Sequence, residues 1–235
     1  MKRTLVVLAV MALVVPALAG TLTADPGRPL YAGGQQATSR GITVYDNTVN
    51  GPTGAFSQLP GAIIGDELIL LQGGILDDLS FAIYNSSSAT TIMDSLDVDI
   101  NIYNYDPDTG GFVFAGMVQF PGLTPGLFPG YFTTYYADGL ATENIVITDD
   151  ILITIEMYNT QAGVRPGQVM YDPPVVGMSS NDFYLDNTPA GGTNVGWYWF
   201  GGSPVANFYW GVSVVPEPAS LALLALGGLA LLRRR

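Results

Sequence analysis

Hydrophobic and polar residues alternate with a period of two along much of the chain between residues 41 and 213. In Leu96-Asp97-Val98-Asp99-Ile100-Asn101-Ile102-Tyr103, the residues Leu96, Val98, Ile100 and Ile102 share one face, while Asp97, Asp99, Asn101 and Tyr103 share the other. Successive side chains of a strand point to opposite sides, so this pattern predicts a half-buried β-strand. The same alternation sets Leu79, Phe81 and Ile83 inward, then Ile153, Ile155 and Met157, and finally Phe208, Trp210, Val212 and Val214. Nothing in this stretch keeps a helical spacing for three turns.

Turn-forming residues separate the runs: Gly73-Gly74, Asp106 to Gly111, Pro125-Gly126, Pro129-Gly130, Asp149-Asp150, Pro173-Pro174 and Gly201-Gly202. Strands with one solvated face imply antiparallel pairing. With long connections at 121–130 and 171–181, the pattern predicts an all-β fold, an antiparallel β-sandwich of jelly-roll character, with a closed barrel as the second choice. Residues 20–40 are rich in Gly, Pro and Gln and read as a loose lead-in to a single domain at 41–213.

The alternation stops at both ends. Met1-Lys2-Arg3 is a short basic region, Leu5 to Val15 an apolar core, Pro16 a break, and Ala17-Leu18-Ala19 the small-x-small pattern that signal peptidase reads. Residues 1–19 are therefore expected to be a signal peptide, cut after Ala19, that takes the chain through the Sec translocon. At the other end, Val215-Pro216-Glu217-Pro218-Ala219-Ser220 precedes an unbroken run of Leu, Ala and Gly from Leu221 to Leu232, and Arg233, Arg234 and Arg235 close the chain. The two prolines donate no backbone hydrogen bond and keep their neighbours extended, which suits a segment that an enzyme must grip. The apolar run reads as a transmembrane helix in the inner membrane, and the arginines as stop-transfer charge on the cytoplasmic side. From Ala219 to Leu232 a helix would span roughly 21 Å against a hydrocarbon core of about 30 Å. So short a span suits a temporary sorting element better than a permanent anchor.

Residues 214–235 resemble the PEP-CTERM tail recognised by exosortases, on the strength of Pro216, Glu217, Pro218, the hydrophobic segment and the terminal arginines, in that order and at the chain end. The resemblance implies a bacterial envelope protein that an integral-membrane exosortase cuts or transfers near Pro216 to Pro218, in systems linked to exopolysaccharide. A second resemblance, to β-sandwich ectodomains found upstream of such tails, rests on Gly65-Asp66-Glu67-Leu68-Ile69-Leu70, on the strand at Leu79 to Tyr84, on Tyr171 to Gly177, and on Phe183 and Tyr184. It brings no catalytic residue with it.

Charge narrows the partners. Between residues 20 and 215 the only bases are Arg28, Arg40 and Arg165, against nineteen acidic residues, a net of −16. Nucleic acid is not an expected partner, because binding phosphate backbones needs a basic surface. The chain has no histidine and no cysteine, which removes histidine-dependent nucleophile systems, histidine metal sites and thiolate zinc sites. Only carboxylate chemistry remains.

Asp97 and Asp99 share a strand face and could serve as an acid/base pair or hold calcium, although a solvated face is where such residues ordinarily sit. Asp106-Pro107-Asp108-Thr109-Gly110-Gly111 begins like a calcium loop, but its fifth place is Gly110 and its twelfth is Met117, so a hairpin turn and no metal is the expectation. The cluster Trp197-Tyr198-Trp199-Phe200 can turn only alternate rings outward. Trp197 and Trp199 are the candidate glycan-binding pair, and core packing is the plainer use of such aromatics. The expected function is a non-enzymatic exported envelope or extracellular-matrix protein without a cofactor, sorted by an exosortase through its tail. The alternative is a carbohydrate-binding module for extracellular polysaccharide, assisted by calcium.

Overall fold

The alternating runs form the strands of two antiparallel sheets in a computed structural model that describes residues 22–24, 28–29, 41–88, 90–200 and 205–215. The expected signal peptide with Ala17 and Ala19, the Gly201-Gly202 turn, the prolines around Glu217, the apolar segment from Ala219 to Leu232 and the arginines Arg233 to Arg235 lie outside these residues.

The nine-stranded sheet contains β1 (Leu22–Ala24), β2 (Arg28–Pro29), β3 (Ile42–Asp46), β4 (Pro52–Ser57), β6 (Gly74–Asn85), β9 (Tyr131–Ala137), β10 (Val146–Ile147), β12 (Pro166–Tyr171) and β15 (Trp210–Val215). β6 runs through its centre. Phe81 pairs with Tyr135 of β9 on one edge and with Trp210 of β15 on the other, and Tyr84 pairs with Phe132 of β9 and Gly167 of β12. The short strands β1 and β2, which fall in the expected lead-in, pair with the outer edge of β9. The second sheet has six strands in the order β14 (Val195–Trp199), β13 (Met178–Asp186), β5 (Ile63–Ile69), β11 (Asp150–Tyr158), β7 (Leu96–Asp106) and β8 (Gly111–Leu123). Leu140–Glu143 is a single 3-10 turn.

One core lies between the sheets. Leu79, Phe81 and Ile83 from β6, Leu96 to Ile102 on alternate positions of β7, Ile153, Ile155 and Met157 of β11, and Trp210, Val212 and Val214 of β15 all belong to the same buried cluster. Phe81 forms an aromatic stack with Tyr135 of its own sheet at 5.3 Å and with Phe120 of the opposite sheet at 5.2 Å. Phe56 of β4 reaches Phe183 of β13 at 5.2 Å. The inward faces expected from the alternation are the inward faces observed.

The expectation of one solvated face fails on β6 and near β15. Ser80 and Ala82 are buried too, and a second cluster of Ala82, Phe132, Val169, Tyr171 and Tyr209 covers the outside of the nine-stranded sheet. Tyr209 reaches Tyr136 there, hydroxyl to hydroxyl, at 3.2 Å. Alternation places a residue on a face but cannot say whether further chain covers that face. The two long connections are also shorter than expected: β8 runs on to Leu123, and β13 starts at Met178.

The Asp106 segment is the hairpin turn joining β7 to β8. Gly110 has φ of 68°, a conformation that suits glycine, and its N–H donates to the Asp106 carbonyl at 2.8 Å. The Asp106 carboxylate accepts from the Asp108 N–H at 3.0 Å and from the Thr109 hydroxyl at 2.9 Å. These two donors hold its carboxyl below the usual range. Its oxygens are engaged in making the turn.

Candidate functional site

The outward face of the six-stranded sheet carries the aromatic residues. Tyr198 on β14 and Phe200 just after it turn inward and pack on the core, Phe200 stacking on Phe183 at 4.6 Å. Trp197 and Trp199 turn outward, 41% and 66% exposed. The alternation left this choice open, and it is settled by Phe183, whose ring occupies the inward side next to β14.

Trp197 lies in a groove of about 300 Å³. Tyr103 of β7, Phe112 of β8 and Tyr184 of β13 complete its aromatic wall, and Ile63, Leu152, Thr154 and Asp186 supply the remaining surface. The Trp197 ring stands 5.8 Å from Tyr184 at 70° and 6.2 Å from Phe112 at 43°. β14 and β8 are opposite edges of this sheet. In a flat sheet the five intervening strand spacings would hold them about 24 Å apart. Contact between Phe112 and Trp197 therefore means that the end of the β7–β8 hairpin curls over the sheet and makes its outer face concave. A register shift in the hairpin between Ile102 and Tyr103 marks where the ladder bends.

Gly65 pairs with Tyr184 on one side and Thr154 on the other, and the Thr154 side chain fills the space that a larger residue there would need. A Cβ there would come within 2.6 Å of the Thr154 methyl and 2.8 Å of the Ile153 carbonyl oxygen. Thr154 and Leu152 are buried although they point outward, because the aromatic rings cover them. The Tyr103 phenol is raised by burial and feels the Thr154 hydroxyl as its polar neighbour.

Carboxylates stand beside the groove, one row in register across three strands and a second set around Glu67. Asp186, Glu156 and Asp99 line up across β13, β11 and β7, since Ile63 pairs with both Asp186 and Glu156, and Glu156 pairs with Asp99. Burial, then the charges of Asp99 and Asp186, push the Glu156 carboxyl up. In the second set Glu67 is pushed up by burial and by Asp150 and Asp182. Burial, then Asp186, raises Tyr184 as well. None of the six strands contains a lysine or arginine.

Other candidates are occupied or lie elsewhere. The Asp97 carboxylate accepts from the Gly122 N–H at 2.6 Å and from the Asn159 amide. Asp99 accepts from Gln119 at 3.1 Å and from the Tyr158 hydroxyl at 3.2 Å. Among the described residues no group of three or more acidic side chains converges on a point where a metal could sit. Trp199 does not line the groove, so the expected Trp197–Trp199 pair is split. The sequence reading missed Tyr103, Phe112, Tyr184 and Asp186 as partners of Trp197. Tyr103 and Tyr184 were visible as aromatics at strand positions, but only the curl of the hairpin brings β8 to β14.

Beneath the face, Asp66 points inward from β5 and is fully buried. It accepts from the Ser179 hydroxyl at 2.8 Å and from the Phe208 N–H at 3.1 Å, and Ser179 also reaches the Asn207 side-chain oxygen at 3.1 Å. Burial pushes the Asp66 carboxyl well up despite these donors. Neither Asp66 nor Ser179 lines the groove, and their hydrogen bonds tie β5, β13 and the approach to β15 together.

β15 is the last described strand, and at its end Val214 pairs with Ile42 and Val215 with Ile75. Among the described residues no helix is long and apolar enough to cross a membrane. No curated protein and no solved structure matches the chain. Residues 214–235, which begin in the last two positions of β15, match the family model of the PEP-CTERM protein-sorting motif; the chain thus carries a PEP-CTERM tail, the mark of an exported protein sorted by an exosortase.

Proposed function

We propose that this chain is a non-enzymatic protein of the cell envelope or extracellular matrix, in which a β-sandwich of jelly-roll character is delivered through the Sec translocon and then processed at its tail. Residues 1–19 act as the signal peptide. Pro216, Glu217 and Pro218 are the segment the exosortase reads, Ala219 to Leu232 the helix held in the inner membrane, and Arg233 to Arg235 the charge that stops transfer. The observation that carries this reading is the sorting motif at 214–235, which starts inside β15 and so follows the folded domain without a spacer. Engagement of Asp97 and Asp99 by neighbouring donors supports a structural use of those carboxylates rather than acid/base work.

The test is the intact mass of the mature protein from hosts with and without the exosortase. The expected product begins after Ala19 and, with the enzyme present, ends before Ala219. A chain still ending at Arg235 in the host that has the enzyme would contradict the reading. Scrambling Pro216-Glu217-Pro218 while keeping the apolar run and arginines is expected to leave the protein in the membrane fraction.

A second reading, a carbohydrate-binding module for extracellular polysaccharide, is favoured by Trp197 facing out into a concave aromatic groove. It requires glycan capture that Trp197→Ala abolishes. Because Trp199 stands outside the groove lining, Trp199→Ala is expected to weaken capture much less. Undiminished capture by the Trp197 variant would count against this reading.

A further inference from the structure

Sorting by the tail leaves the concave face of the six-stranded sheet without a use, and that face combines aromatic rings with negative charge. Four rings, from Tyr103, Phe112, Tyr184 and Trp197, border one groove, and two of the ring pairs meet at 43° and 70° rather than flat. The four rings bound the groove with aromatic surface from different strands, and aromatic surface beside a carboxylate is a combination that attracts an organic cation. Asp186 lies in the lining itself, in register with Glu156 and Asp99, and Glu67 stands beside Leu152 of the lining.

We propose that this groove binds an organic ammonium group, a protonated or alkylated amine carried by a small molecule or by a sugar chain. The size fits: about 300 Å³ is at the small end of ligand pockets and accommodates one compact head group. The charge fits as well. With no lysine or arginine in the six strands, the carboxylates have no fixed counter-charge on their own sheet, and repulsion among them helps to raise Glu67 and Glu156. An ammonium in the groove meets the aromatic surface and neutralises that repulsion together. A carboxylated, sulfated or phosphorylated ligand would meet like charge beside the groove. An uncharged sugar could stack on Trp197 but would gain nothing from the carboxylates. A bare metal ion would gain the carboxylates but make poor use of apolar walls. The proposal stands independently of how the tail is processed.

The experiment is a titration of the whole 235-residue chain in a polyoxyethylene detergent, followed by calorimetry and by tryptophan fluorescence, with the Trp197→Ala protein as the control for the signal of the other two tryptophans. Choline is compared with 3,3-dimethyl-1-butanol, its uncharged isostere, and glucosamine oligomers with their N-acetylated forms. Choline or the glucosamine oligomers should saturate and bind at least roughly tenfold tighter than the uncharged counterpart. Trp197→Ala should reduce that affinity by roughly tenfold or more, and Asp186→Asn by several-fold, while Trp199→Ala leaves it unchanged. The Asp186 variant keeps an oxygen to accept from the Thr188 N–H at 2.9 Å and hydroxyl at 2.6 Å, so it tests charge without removing the turn. Preference for choline identifies a small alkylated amine or lipid head group as the source, phosphocholine micelles separating the two, and preference for the oligomers identifies an amino-sugar chain. Equal binding of the uncharged isosteres, capture of neutral glucans as tightly as amines, no saturation by either amine, or full affinity in a folded Asp186→Asn or Trp197→Ala protein would overturn the proposal.

Discussion

Replacing Trp210 by alanine is expected to destabilise the domain by about 3–5 kcal/mol, a large part of the roughly 5–15 kcal/mol that holds a typical domain folded. Trp210 is 1% exposed, the largest of the fully buried side chains, and sits in the core cluster beside Phe81, with which it is in register. Its backbone carbonyl accepts from Asn47 at 2.9 Å, so β15 is held in place even as the indole leaves a void. Urea unfolding should show the loss as a lower midpoint at nearly unchanged slope. The same substitution at Trp199, exposed and outside the groove, should stay within about 0.5 kcal/mol of the parent. Equal effects at the two positions would mean that the two sheets do not share the core described.

Acidification from neutral pH should stabilise the protein, with a rising thermal midpoint between pH 7 and pH 5. Asp66, Glu67, Asp150 and Glu156 all have carboxyls raised above their ordinary values, in each case first by burial. A carboxyl whose pKa is higher folded than unfolded binds more protons in the folded state across the interval between the two values. Its contribution is fully present below the unfolded value of about 4 and is lost as pH climbs through the folded value. A group that differs by a whole proton changes stability by about 1.4 kcal/mol per pH unit, and fully buried Asp66 carries most of the effect, since solvent screens the partly exposed Glu67, Asp150 and Glu156. Asp106, in the solvent-facing turn between β7 and β8, is shifted the other way. Asp66→Asn should flatten the profile, because asparagine can accept from Phe208 and meet Ser179 without ever carrying charge. A midpoint that falls on acidification, or an Asp66→Asn profile as steep as the parent's, would show that the buried carboxyl does not govern the pH response.

Much of the architecture could be read from residue spacing. Leu96, Val98, Ile100 and Ile102 are inward because a strand turns every second side chain the same way, whatever the neighbours are. The Asp106 turn could be read because Gly110 and the Asx carboxylate make it locally. By contrast, Asp66 occupies an alternating position that polarity alone would place toward solvent, and it is buried because Ser179 and the Phe208 N–H, more than a hundred residues away, provide its hydrogen bonds. Ala82 is covered by Phe132 of β9 and by Val169 and Tyr171 of β12 for the same kind of reason.

The sequence by itself determined the period-two faces, the acidic character of the domain and the sorting motif at residues 214–235, since all three are properties of residues near one another in the chain. Only the tertiary structure decided which half of Trp197 to Phe200 faces out, because Phe183 fills the inward side, and which residues share the groove. Phe112 and Trp197 stand on opposite edges of one sheet, and nothing local in either strand specifies the curl that brings their rings within 6.2 Å. That curl is a cooperative property of six strands twisting together over a shared core.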